Sequence, residues 1–203
     1  MYSVVMALYD FVPVIGFLVG GIFLVKLSRL ALNKLMPVIM TLSVIVIVLG
    51  GGLQASWKLL NAINRPHPLW MNQGQFVFMA TGYVLLLIPV LALLRKRKTS
   101  AAEALPAMAT WKIPFLAVMT LASLSAYASL VVLAFRRKSW LASLGFIFAF
   151  ISVLTMGFMA SQTQTIQMQW IEQTINTLGN WGFALGAILV YKTYKPLGRQ
   201  PAG

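Results

Sequence analysis

Apolar runs of about twenty residues recur almost without a break along this chain, each long enough to cross a hydrocarbon layer of about 30 Å. Such runs leave few folds open. In lipid every backbone N–H and C=O needs an internal partner, so a spanning segment is a helix or part of a closed barrel. Barrel strands alternate apolar and polar residues, and these runs do not alternate. Only 9% of the residues are charged, against about a quarter in soluble chains. The expectation is an all-α integral membrane protein with six transmembrane helices, over about 4–25, 35–55, 75–94, 113–135, 140–160 and 175–191. The first ten residues, MYSVVMALYD, carry no Lys or Arg and read as mature chain rather than as a signal peptide.

The six spans divide three and three around the polar stretch 99–112, and the two sides echo one another. At an offset of one hundred, Trp70, Gln73 and Gly82 meet Trp170, Gln173 and Gly182, and Tyr83 meets Phe183. The stretch Gly52–Ser56 (GLQAS) resembles Gly157–Ser161 (GFMAS), and Val12-Pro13 pairs loosely with Ile113-Pro114. Residues 1–98 and 113–203 then read as two copies of a three-helix unit, the second ending in a short basic tail. Three crossings per copy, with a linker too short and polar to cross lipid as a helix, predict an inverted repeat. The basic residues agree with inversion. Lys26, Arg29, Lys34, Arg95, Lys96, Arg97, Lys98 and Lys112 fall on one side. Lys58, Arg65, Arg136, Arg137, Lys138, Lys192, Lys195 and Arg199 fall on the other. So even a split assigns no orientation.

The net charge of +13 comes from residues at the ends of apolar runs. There they meet anionic lipid headgroups rather than nucleic acid. Arg95, Lys96, Arg97, Lys98, Arg136, Arg137 and Lys138 are the expected headgroup anchors. The expected partners are the bilayer, its anionic headgroups, and other copies of the chain or other membrane subunits. A bacterial inner (plasma) membrane is the expected location.

Chemistry has little to work with. The chain has no cysteine, one histidine and three acids, and none of the usual nucleotide-binding, hydrolase or metalloprotease motifs. No enzymatic activity, metal or cofactor is expected. Asp10, in YDFVP, is a candidate charge site, but reads first as the cap of a helix carrying an early proline. His67 reads as a lone exposed histidine in a rigid turn, and Glu172 as a solvated residue near a helix start. Asn176 and Asn180 lie one turn apart on one helix face, where amides most often bond across to neighbouring helices. The alternative is that they line a wet pathway, together with Gln54, Asn72, Gln73, Thr81, Glu172 and Gln173. The leading functional expectation is a small-solute channel or secondary transporter with its site between the repeats. The alternative is a non-catalytic integral subunit of a larger membrane complex.

Overall fold

The computed structural model describes residues 3–94, 112–159 and 165–195, without the side chains of 112–114 and 116. Helices account for nearly all of it: α1 (Val4–Tyr9), α2 (Phe11–Ala31), α3 (Leu35–Ala62), α4 (Leu69–Leu94), α5 (Lys112–Arg136), α6 (Trp140–Met159) and α7 (Ile166–Tyr194). Five segments are long and apolar enough to cross a membrane: Val4–Ala31, Leu35–Ala62, Leu69–Leu94, Ala117–Arg136 and Trp140–Met159. The anchors Arg95 to Lys98 and the linker 99–111 lie outside the described residues.

Local chemistry sets the breaks. Ser3 caps α1, its hydroxyl accepting from Met6 N–H at 3.2 Å. Asp10 separates α1 from α2, and Pro13 sits in the first turn of α2, where its missing N–H has no intrahelical partner to lose. Asn33 Oδ1 accepts from Met36 N–H at 3.3 Å at the start of α3. Two helices end on residues in the left-handed region, Asn64 (φ 52°) after α3 and Lys138 (φ 53°) after α5. His67 is partly buried and works as a staple for the α3–α4 turn, not as a lone exposed side chain. Its Nε2 lies 3.0 Å from Asn61 Nδ2, its Nδ1 lies 2.8 Å from the Arg65 carbonyl, and its own carbonyl accepts from Trp57 Nε1 at 3.2 Å.

Within each half, consecutive helices pack antiparallel. Gly21 of α2 meets Val44 of α3, and Gly82 of α4 meets Ile47 of α3. In the second half, Gly145 of α6 sits against Gly182 and Gly186 of α7, and Ser152 Oγ donates to the Ile175 carbonyl at 2.9 Å. Between halves the packing is parallel. Tyr9 contacts Trp170, Phe17 stacks on Phe183 with centroids 5.0 Å apart, and Phe23 contacts Tyr191, so α2 and α7 run the same way. Tyr83 contacts Tyr127, and Arg136 Nη1 donates to the Leu94 carbonyl at 3.2 Å, so α4 and α5 also run the same way.

The halves are therefore not inverted. The two sets of three helices run in the same direction, with the third helix of each lying against the first helix of the other. The expectation of inversion rested on a polar linker staying at one end, whereas the interhelical contacts align α4 with α5. Leu94 and Lys112 then stand at opposite ends of the bundle. A 26-residue helix is about 39 Å long.

Parallel halves also redistribute the charge. Lys26, Arg29, Lys34, Arg136, Arg137, Lys138, Lys192 and Lys195 gather at the end where α2, α4, α5 and α7 finish, the basic end. Lys58, Arg65 and Lys112 lie toward the opposite, acid end, as do Asp10 and Glu172. Among the described residues the even split read from the sequence becomes a bias of eight basic residues against three once the second half is turned over.

Candidate functional site

A cavity of about 420 Å³ lies among α4, α5, α6 and α7, with Gln54 of α3 at one side. It occupies the part of the bundle nearer the acid end. Gln75, Phe76, Met79 and Tyr83 of α4 form one wall, and Met119, Thr120, Ser123 and Tyr127 of α5 the next. Ser152, Val153 and Met156 of α6 and Glu172, Asn176, Gly179 and Asn180 of α7 close it. A smaller pocket of about 80 Å³ reaches from there toward α2, lined by Asp10, Pro13, Phe17, Gly51 and Gln173 among others. Both spaces are lined by Gln54, Met79, Tyr83, Asn176 and Asn180.

These walls follow from helical spacing. Thr120, Ser123 and Tyr127 recur at intervals of three and four, which places them on one face of α5. Asn176 and Asn180 share a face of α7 in the same way. Asn180 Nδ2 donates to the Asn176 carbonyl at 2.9 Å and to Asn176 Oδ1 at 2.8 Å. The two amides therefore bond within α7 rather than across to another helix. The interhelical bond comes instead from the Ser152 hydroxyl.

Toward the basic end the space stops at an aromatic layer. Phe17, Tyr83, Tyr127, Phe146 and Phe183 contact one another through stacked, tilted and edge-on pairs, with the Tyr83 and Tyr127 hydroxyls 3.3 Å apart. Beyond it Leu24, Leu27, Met40, Leu86, Leu130, Val90 and Val190 are fully buried. One half of the bundle interior is polar and hollow, and the other is apolar and filled.

At the acid end Lys58 Nζ lies 2.6 Å from Asp10 Oδ2, with the two side chains 11% and 5% exposed. Asp10 makes no side-chain capping bond to α2, so the capping role expected for it is replaced by an ion pair. An isolated carboxylate in so dry a place is costly, and the ammonium from α3 offsets that cost.

The candidates named from sequence divide in three. Gln54, Asn176 and Asn180 line both spaces, Glu172 lines the larger, and Gln173 and Asp10 line the smaller. Asn72 stands one step outside, its Oδ1 accepting from the wall residue Gln75 at 3.3 Å. Gln73 lines neither space, and Thr81 is exposed on the outside of α4. Sequence reasoning passed over Lys58, Gln75, Tyr83, Thr120, Ser123, Tyr127 and Ser152. The three-and-four spacing on α5 was the signal that could have found its part of the wall. Glu172 is likewise not merely at a helix start, because α7 begins at Ile166, capped by the Thr165 hydroxyl, which accepts from Met168 N–H.

No family model, curated protein or solved structure matches this chain. Among the described residues no three His, Asp or Glu side chains come together as a metal site. The arrangement offers hydrogen bonding without an obvious nucleophile or acid–base pair. It is suited to holding a small polar molecule in an otherwise apolar bundle.

Proposed function

We propose that this chain is an integral membrane carrier for small solutes, with the polar cavity between its two three-helix halves as the binding site. The observation that carries the reading is a cavity that ends blindly. A channel has a continuous pore, whereas an amide-lined space closed on one side by an aromatic layer and a filled core suits a carrier caught open toward one end. Duplicated halves of parallel sense, related by an axis along the membrane normal, are a known way to build such carriers. The faces turned away from the bundle support a lipid environment, with Leu42, Leu121, Leu144 and Ile151 at least half exposed.

Orientation follows from charge. Basic residues are enriched on the cytoplasmic side of membrane proteins, so the basic end faces the cytoplasm and the cavity lies toward the exterior. α7 is not among the helices apolar enough to cross on composition alone. Its first half carries Glu172, Gln173, Asn176 and Asn180, and those polar groups turn inward to the site rather than outward to lipid.

The test uses the absence of native cysteine. Purified Ser123→Cys protein, reconstituted in liposomes, is screened for counterflow of small neutral solutes before and after treatment with an impermeant thiol reagent. Uptake that alkylation blocks supports the carrier. No uptake of any solute, together with stoichiometric unrelated partners on a native gel, would move the reading to a subunit of a larger membrane complex.

A further inference from the structure

We infer that the smaller pocket is a head-group site for uncharged solutes that bear hydrogen-bond donors, such as a primary amide or a hydroxyl. This rests on the carrier reading and adds a substrate class to it. The pocket has acceptors in excess. Gln173 is 8% exposed, and its Oε1 is buried with no partner among the described residues. Asp10 Oδ1 is buried on the same wall, with only its sister oxygen engaged by Lys58 at 2.6 Å. A carboxylate has about four lone-pair sites, so one ammonium contact leaves capacity. Asn180 spends its amide N–H groups on Asn176, which leaves its Oδ1 as the atom it can offer a ligand. These acceptors come from two different helices and converge on a space of about 80 Å³, room for a head group but not for a whole solute.

Charge selects against ions of either sign. An anionic head meets the Asp10 carboxylate that lines the pocket, and a cationic head meets a carboxylate whose charge the Lys58 ammonium already balances. The ion pair is neutral as a unit, and in a dry pocket an added unpaired charge is heavily penalised. A neutral donor faces no such penalty and satisfies an acceptor that folding has left unmatched. The body of the solute then lies in the wider cavity against Met79, Tyr83 and Tyr127, surfaces that suit a short apolar chain.

The test compares three probes of nearly the same shape, isobutyramide, isobutylammonium and isobutyrate, at equal millimolar concentration. The readout is the melting temperature of the full chain in lipid nanodiscs. Isobutyramide alone should raise it. Gln173→Met keeps the side-chain volume and leaves no partner behind, because Oε1 has none among the described residues; it should weaken the isobutyramide effect at least tenfold. Equal shifts from all three probes, or an undiminished shift in Gln173→Met, would overturn the inference even where solute uptake is intact. The ranking of probes on the wild-type chain decides the matter if the variant folds poorly. Amide-selective binding without uptake of any solute would uphold the pocket and remove the carrier reading instead.

Discussion

The Tyr83 hydroxyl of α4 stands 3.3 Å from the Tyr127 hydroxyl of α5, and with Arg136 Nη1 on the Leu94 carbonyl further along the last helix of one half and the first helix of the other cross the bundle side by side in the same sense. The tyrosine contact closes the floor of the cavity, and the pair of contacts fixes the relative direction of the halves. That direction gathers most of the described basic residues at one end and puts Asp10 and Glu172, with Lys58, Arg65 and Lys112, toward the other.

Direction can be measured without a structure. In a chain with no native cysteine, Lys34→Cys in the α2–α3 turn and Ser139→Cys in the α5–α6 turn should react with an impermeant thiol reagent from the same side. Arg65→Cys, in the α3–α4 turn, should react from the other. Inverted halves would put Lys34 and Ser139 on opposite sides, so opposite labelling would sink the parallel arrangement.

The Asp10–Lys58 pair should behave as a unit. Lys58→Met leaves a buried carboxylate without its cation and should cost about 3–5 kcal/mol, read as a fall in thermal stability and in folded yield. Adding Asp10→Asn to that variant removes the stranded charge and should restore most of the loss. A double variant no more stable than Lys58→Met would show that the pair does not act through mutual charge compensation.

Two glycines should respond in opposite directions to one methyl group. A Cβ on Gly145 would lie 2.5 Å from the Gly182 carbonyl oxygen, a backbone atom that cannot rotate away. Gly145→Ala should therefore cost about 1–3 kcal/mol by pushing α6 off α7. A Cβ on Gly52 meets nothing within 4 Å, so Gly52→Ala should gain about 0.5–1 kcal/mol from the lower helix cost of alanine. Thermal unfolding in mild detergent separates the two, and similar effects from both would mean that the α6–α7 seam is looser than its geometry.

How much of this the sequence disclosed follows from which forces were local. The apolar runs are dictated by lipid and by backbone hydrogen bonding, so the helices were readable, as was the shared face of Asn176 and Asn180. The direction of the halves was not. It depends on contacts such as Phe17 on Phe183 and Tyr83 on Tyr127, which join residues far apart in the chain and leave no trace in composition. The same distance hid the ion pair. Asp10 beside Pro13 looks like a cap when Lys58 is out of view, and a lysine near a span end looks like an anchor. Tyr83 and Tyr127 gave no sign of a site, because an aromatic ring inside an apolar run shows no polarity until its hydroxyl is placed.

Asn176 and Asn180 separate binding from folding most cleanly. Amides within a membrane helix commonly hold neighbouring helices together, and removing such a bond weakens the fold. Here the bonds run from Asn180 Nδ2 to the carbonyl and Oδ1 of Asn176, one turn earlier in the same helix. Asn180→Leu thus breaks no interhelical bond, and its new side chain enters a cavity of about 420 Å³ rather than a filled seam. The folded yield and melting temperature should stay close to wild type, while binding of a polar solute falls at least tenfold. Ser152→Ala supplies the contrast: its hydroxyl donates across to the Ile175 carbonyl of α7 at 2.9 Å, and losing a net hydrogen bond should cost about 0.5–1.5 kcal/mol. If Asn180→Leu were instead the more destabilising of the two, the amide pair would be part of the frame, and the polar wall of α7 would need another explanation than a ligand.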